Sequence, residues 1–294
     1  MSINITVQQV KPVYNDLPKG ITWLFYGQPK VGKTTVTASF SPKGRDGVLL
    51  IDTDFGADFV ECNRIIVGMI NPPYRHSKSK VPISAKDYSA LNDVQKLDYE
   101  VIPPDLRNIY VRTGDPVPVY AMNEVFSWIK NQLETNKFPY DTVVIDTVNR
   151  INEWIEEIVC AELGIRAMGE ATYGNDWALS KKYLLTIIKS LQMLLRKYGR
   201  SFVMTCHAKP SVVVDNKIQQ TLELPKGITQ GVISQADVIG YVYIPAGAKK
   251  PCVQFAGYDE KQMGSRIKAL AGKTLNFDFQ SILNEITNYK EKEN

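Results

Sequence analysis

Cysteine and histidine are scarce in this chain: four cysteines, at 62, 160, 206 and 252, and two histidines in 294 residues. The cysteines are scattered and form no C-x-x-C pair, which argues against a zinc site and for a reducing compartment. No apolar run approaches the roughly 18 residues that a membrane-spanning helix needs. Met1 to Lys11 shows no basic region followed by an apolar stretch, so no signal peptide is expected and a cytoplasmic location is. Charge of one sign is also missing. The net charge of +4 permits a nucleic-acid partner without demanding one. No internal repeat is found.

Against these absences stands one complete motif. Residues 27 to 34 read Gly-Gln-Pro-Lys-Val-Gly-Lys-Thr, the G-x-x-x-x-G-K-T pattern of a phosphate-binding loop. The apolar run Ile21 to Tyr26 before it suits a buried strand, and Thr35 to Phe40 after it suits the first turns of a helix. That context makes a fortuitous glycine-rich turn a poor alternative. Gly27 and Gly32 let the backbone approach phosphate oxygens. The N–H groups of Gln28, Pro29-Lys30-Val31 (proline excepted) and the helix start at Thr34-Thr35 then face the anion. Lys33 reaches the β- and γ-phosphates of ATP, and the Thr34 hydroxyl ligates Mg²⁺.

Further strands are expected at Val48–Asp52, Asn108–Arg112, Thr142–Asp146, Ser201–His207 and Val238–Ile244. Between them lie helical stripes at 3.6-residue spacing: Met122, Val125, Phe126, Ile129, Leu133; Ile151, Trp154, Ile155, Ile158, Val159; and Leu184, Ile187, Ile188, Leu191, Leu194, Leu195. Such alternation predicts an α/β fold, a mostly parallel twisted sheet with helices on both faces. The ligand then sits beyond the carboxyl ends of the strands. The C-terminal part changes character. Ser211–Val214 and Ile218–Leu224 flank Asp215-Asn216 and read as a hairpin. The division expected is an N-terminal arm or strand over 1–18, a core over 19–287 and a charged tail over 288–294. Residues 71–107, rich in Pro, Ser and Lys, read as a surface insertion, partly disordered. Its cluster Arg75, Lys78, Lys80 either touches a phosphate backbone or is a solvated loop, the commoner outcome.

A P-loop ATPase needs a carboxylate at a neighbouring strand end for the Mg²⁺ shell. Asp146, closing Thr-Val-Val-Ile-Asp, is that residue; a helix-capping role is the structural alternative. Hydrolysis also needs a group that orients or deprotonates water. Asp54, just past the strand Val48–Asp52, is the candidate, with Asp52 as competitor or turn cap. His207 ends a third strand, where it either senses the γ-phosphate or is merely packed.

These strand ends together resemble the RecA-like ATPases over roughly residues 20 to 270. Within them the chain is most similar to the small phage-type core-only recombinases and single-strand annealing proteins, the phage nucleotide-binding proteins. The stretches that carry this closer likeness are Gly27–Thr35, Glu61-Cys62-Asn63-Arg64, Thr147-Val148-Asn149-Arg150 and His207-Ala208-Lys209. The resemblance implies a RecA-like P-loop fold with a C-terminal antiparallel extension, in host cytoplasm. It matches Asp54 to the family's water-activating acid, usually Glu; the shorter side chain implies slow hydrolysis. It matches His207 to a position where RecA has Gln. It implies ATP at subunit interfaces of a homo-oligomeric ring or filament, with a neighbour's cation at the transition state. Lys249, Lys250, Arg266 and Lys268 are candidates, Arg266 first.

The same resemblance puts single-stranded DNA on two loops. One is Gly164 to Asp176, with Arg166 and Tyr173; the other is Ala208 to Gln235, with Lys209, Lys217 and Lys226. Both offer cations and glycines, and the first an aromatic for base stacking. Tyr173 and Trp177 equally suit core anchoring of the following helix. A single-strand-binding protein is a further family-level partner. The function expected is therefore an ATP-dependent, single-stranded-DNA-binding recombinase or annealing protein. The alternative is a non-DNA nucleotide switch or assembly motor of similar fold. A small-molecule kinase would need a lid of clustered arginines, which the sequence does not offer.

Overall fold

The computed structural model describes residues 19–83, 85–112, 114, 116–210, 212–214, 217–255 and 263–289, without the side chains of 85, 86, 212–214 and 217–219. The arm expected over 1–18 and most of the charged tail lie outside these residues.

Strand β1 (Thr22–Gly27) is buried along its whole length. A strand buried on both faces must be central, and β1 lies in the middle of a ten-stranded sheet. With it in the sheet run β2 (Val48–Asp52), β3 (Asn63–Met69), β4 (Tyr120–Ala121), β5 (Thr142–Asp146), β6 (Ser201–His207) and β7 (Val238–Tyr243). The order β7-β1-β6-β5-β2-β3-β4 is parallel throughout. Three short strands extend it in antiparallel fashion. These are β8 (Cys252–Gln254) and β9 (Gly264–Ser265), both on β7, and β10 (Thr274–Asn276) on β8. The result is the mostly parallel α/β sheet with an antiparallel C-terminal extension that strand–helix alternation predicts.

Alternation of side chains along each strand feeds two cores. Leu24, Tyr26, Leu49, Ile51, Val143, Ile145, Phe202 and Met204 face one side. Helices α2 (Met122–Glu134), α3 (Val148–Leu163), α4 (Asn175–Lys197) and α5 (Lys226–Gln235) cover them. Trp23, Phe25, Val48, Leu50, Val144 and Val203 face the other, under Phe40 and helix α6 (Phe279–Thr287). Phe40 meets Trp23, Phe25 and Phe279 edge-on at 5.2 Å each. The helix after the phosphate loop, α1 (Lys33–Thr37), is shorter than expected and stops so that Phe40 can turn into this aromatic cluster.

Two segments differ from expectation. Residues Asn108–Tyr110 are extended, but they pair with Pro116–Pro118 in a separate hairpin. Tyr110 is 84% exposed, which no central strand tolerates, and β4 takes the sheet edge instead. Within 71–107, Tyr74–His76, Pro82–Ile83 and Tyr99–Val101 form a small antiparallel sheet. Stacking of Tyr74 on Tyr88, at 3.8 Å between centroids, supplies an anchor that a polar composition conceals. Its basic cluster is largely satisfied internally, because Glu100 accepts from Arg75 at 2.8 Å and Lys80 at 2.7 Å. The hairpin expected after β6 is present in backbone, with Val212–Val214 antiparallel to Lys217–Gln219.

Candidate nucleotide site

The carboxyl ends of β1, β2, β5 and β6 converge where the phosphate loop begins. A Cβ on Gly27 would lie 2.2 Å from the Val242 carbonyl oxygen and 3.3 Å from Val31 Cγ2, so only glycine lets the loop leave β1 here. Gly32, at φ +93°, turns the chain into α1. Lys33 is 5% exposed. Its Nζ donates to the carbonyls of Gly27 at 2.9 Å and Gln28 at 3.0 Å. Burial holds its ammonium below the usual lysine range, opposed chiefly by the charge of Asp146.

Beside it, the Thr34 hydroxyl donates to Asp146 Oδ2 at 2.6 Å. Asp146 Oδ1 accepts from the buried Thr205 hydroxyl. Thr205 escapes motif reading. The register pairs Ile145 with Met204, so the next residues, Asp146 and Thr205, adjoin. The Thr34 hydroxyl and Asp146 carboxylate are hard oxygen donors, as Mg²⁺ prefers. Among the described residues no three His, Cys, Asp or Glu converge on a metal site. The pair therefore fits a Mg²⁺ that takes its other ligands from phosphate and water.

The two acids at the end of β2, Asp52 and Asp54, divide sharply. Asp52 is fully buried. It accepts from Gly56 N at 3.2 Å, Ala57 N at 3.3 Å and Arg64 Nη1 at 3.1 Å. Burial pushes its carboxyl up, against the pull of the Ala57 N–H and Arg64. It caps the turn after β2 through Gly56 and Ala57 and is held by Arg64. Asp54 instead points into a cleft of about 490 Å³ that it shares with Asn149, Arg150, Asn152, Glu153, His207 and Glu223. Thr147 Oγ1 donates to its Oδ2 at 2.7 Å, and Arg150 Nε lies 3.8 Å from its Oδ1. Thr53 braces this corner, because its hydroxyl donates to Thr147 O at 3.0 Å and accepts from Thr147 N at 2.7 Å.

Across the cleft, His207 ends β6 with its backbone N–H donating to Asn149 Oδ1 at 2.8 Å. Asn149 Nδ2 donates to Glu223 O at 2.7 Å, and Glu223 N donates to His207 O at 2.8 Å. His207 Nδ1 lies 3.7 Å from Glu223 Oε2. Glu223 carries no sequence signal, since it meets His207 only when the chain returns from the hairpin, and Asn149, although in a stretch that carries the likeness, shows its role only in this geometry. Lys209 is tied to the phosphate loop itself, its carbonyl accepting from Gln28 Nε2 at 3.1 Å.

The remaining candidates lie farther out. Gln192, near the C-terminal end of α4, donates to Gln235 O at 2.7 Å and to Thr22 Oγ1 at 2.9 Å, at the amino end of β1. Helices α4 and α5 run side by side from there, so their N-terminal halves lie toward the carboxyl edge. Trp177, Lys181 and Lys226 line a groove of about 410 Å³ between those halves. Lys226 opens α5 rather than sitting in a loop. Trp177 is 38% exposed, so it is only partly a core anchor, and Tyr173 is fully exposed. The Gly164–Asp176 segment is closed by Asp176, whose carboxylate accepts from Gly169 N and, at 2.9 Å, Trp177 N. Arg166 N donates to Glu170 Oε2 at 2.9 Å. The side chain of Lys217 is outside the described residues. Arg266 is not brought to the phosphate loop. It pairs with Asp237 at 2.9 Å, at the amino edge, together with Arg196 at 2.7 Å. Lys249 and Lys250 lie nearer, next to Pro251, whose ring would be 3.5 Å from a Cβ on Gly32.

No helix among the described residues is long and apolar enough to cross a membrane. A comparison with curated proteins gave no match. The family comparison did: residues 19–266 match the AAA domain. That span takes in the phosphate loop, both Thr34 and Asp146, and the parallel sheet that joins them, and the chain belongs to the AAA domain family of P-loop ATPases.

Proposed function

We propose that the protein is an ATP-dependent, single-stranded-DNA-binding recombinase or annealing protein that hydrolyses ATP at subunit interfaces. Lys33 and the loop amides bind the phosphates. Thr34 and Asp146 hold Mg²⁺, which supplies neutralisation of phosphate charge. Asp54 orients the attacking water, with Thr147 fixing its carboxylate. The observation that carries the DNA reading is the direct tie between the phosphate loop and the segment after β6, through Gln28 and Lys209. The groove of Trp177, Lys181 and Lys226 on the same side supports it, as an aromatic flanked by two cations suits stacked bases and their phosphates.

Steady-state ATP hydrolysis with and without single-stranded DNA, at two salt concentrations, tests this. The expected result is stimulation that falls with salt. One observation favours a second reading, a nucleotide switch or assembly motor without DNA. The cleft beside Asp54 carries Glu153 and Glu223 against one arginine, Arg150. Hydrolysis indifferent to DNA, with no DNA retained under a non-hydrolysable ATP analogue, selects that reading.

A further inference from the structure

The insertion over 71–107 lays its short helix Ala85–Ser89 against α3. A cleft of about 480 Å³ remains where the insertion and α3 meet. Tyr74 and Tyr88 line the insertion side, stacked at 3.8 Å between centroids with ring planes 5° apart. The other wall is one stripe of α3: Trp154, Glu157, Ile158, Ala161 and Glu162. They recur at the three- and four-residue spacing that puts side chains on one helix face. Glu157 and Glu162 are the charged side chains of the cleft, and among the described residues no lysine or arginine lines it. Glu162 is held in place by the Tyr183 hydroxyl, which donates to its Oε2 at 2.8 Å.

Two carboxylates beside aromatic rings repel phosphate, so a nucleotide or nucleic acid is the wrong occupant. A bare metal ion fits no better. Hard cations want several converging oxygens, and among the described residues no three His, Cys, Asp or Glu converge. An organic cation satisfies both walls, because aromatic faces attract an ammonium group and apolar surface covers its methylenes. The volume is that of a small-molecule site. The spacing of the acids narrows the choice. Glu157 and Glu162 are five residues apart, about 7.5 Å along the helix axis at ~1.5 Å per residue, with Ile158 and Ala161 between them. One ammonium serves one carboxylate at that spacing, whereas two ammonium groups joined by a butane or pentane chain serve both. We propose that this cleft binds an aliphatic diamine or polyamine, one ammonium on Glu157 and one on Glu162, with the chain across Ile158 and Ala161 beside Tyr74. Binding here requires neither ATP nor DNA.

Isothermal titration of the full chain with 1,5-diaminopentane, n-pentylamine and 1,5-pentanediol tests this. The diamine should bind about fivefold more tightly than the monoamine, the upper scale of an ion pair with an exposed carboxylate, and the diol should give no heat of binding. The diamine's advantage should shrink with added salt. Glu157→Gln and Glu162→Gln are isosteric, and both residues are exposed. The glutamine amide oxygen at 162 can still accept from Tyr183, so the fold is kept. Each variant should bring the diamine down to the monoamine's affinity. Diamine affinity equal to that of pentylamine in wild type, or unchanged in both variants, overturns the proposal. So does N-acetyl-lysine methylamide that binds as tightly as the diamine, which would place a polypeptide lysine in the cleft instead.

Discussion

Replacing Thr205 with Val removes one oxygen from the site and little else. The two side chains have nearly the same shape, and Thr205 is fully buried, so the β6 packing is kept. What is lost is a hydroxyl donor to Asp146 Oδ1. Asp146 is itself 2% exposed, so water does not replace that donor. A hydrogen bond to a charged group is worth about 1.5–3 kcal/mol. For a chain of this length the unfolding entropy is about 0.6 kcal/mol per kelvin, from ~2 cal/mol/K per residue. The melting temperature of Thr205→Val should therefore fall by about 2–5 °C. Thr205→Ser keeps the hydroxyl and loses one methyl, worth about 0.8 kcal/mol, or roughly 1 °C. The second readout is Mg²⁺ dependence. A carboxylate released from its outer partner binds metal about tenfold or more weakly, so half-saturating Mg²⁺ in the ATPase assay should rise by that factor in Thr205→Val and stay put in Thr205→Ser. Melting within 1 °C of wild type, or a serine variant that falls as far as the valine one, would refute the reasoning.

Three further outcomes follow from the same geometry. Lys33 has its folded-state pKa lowered by burial, so its ammonium costs stability at neutral pH, and that cost is relieved as pH rises through the folded value toward the unfolded one. Thermal melts of wild type and Lys33→Met from pH 7 to 10.5 should therefore shift progressively in wild type's favour, while the variant binds no ATP; a pH-independent difference contradicts the assignment. Asp54→Asn should lower kcat by about 10²–10⁴-fold with ATP binding retained, and Asp54→Glu, one methylene longer, should exceed the wild-type rate; single-turnover hydrolysis checks both, and an active Asn variant removes Asp54 from the chemistry. Trp177→Ala should weaken single-stranded DNA binding by about 1–3 kcal/mol, read by fluorescence anisotropy, with ATP affinity unchanged; unaltered binding excludes the groove between α4 and α5.

Much of the frame was legible because its signals are local. A glycine whose Cβ would strike Val242 O, an apolar run ending on Asp146 and three helical stripes each report on their own few residues. Asp52 and Asp54 were harder to separate, since strand parity alone does not say which faces the phosphate. The discriminating partner, Arg64, comes from β3, and a long-range ion pair leaves no mark in the β2 sequence. The same holds for Thr205, Asn149 and Glu223. Their meaning comes from register and from a chain return, neither of which is encoded at the residue itself. Asn108–Tyr110 failed for a related reason. Its β-propensity was read correctly, but whether a strand joins the central sheet depends on two-sided burial, and Tyr110 is exposed.

The two edges of the sheet hold their polar groups in different ways. At the amino edge two paired carboxylates tie the starts of several strands together. Asp237 holds Arg196, Arg266 and the N–H of Thr22. Asp141 holds Lys43 at 3.0 Å and Arg200 at 2.9 Å. These pairs join β1, β5, β6 and β7 through backbone as well as side chain, since Asp237 N donates to Thr22 O and Ser201 N to Asp141 O. At the carboxyl edge the polar groups are bound mainly to one another's loops. Lys33 rests on carbonyls it can leave, and Asp54 shares Arg150 with Glu153. Arg266 pairs with Asp237 at the amino edge and is itself largely exposed. Lys249 and Lys250 are exposed beside Pro251, whose ring adjoins Gly32 at the carboxyl edge.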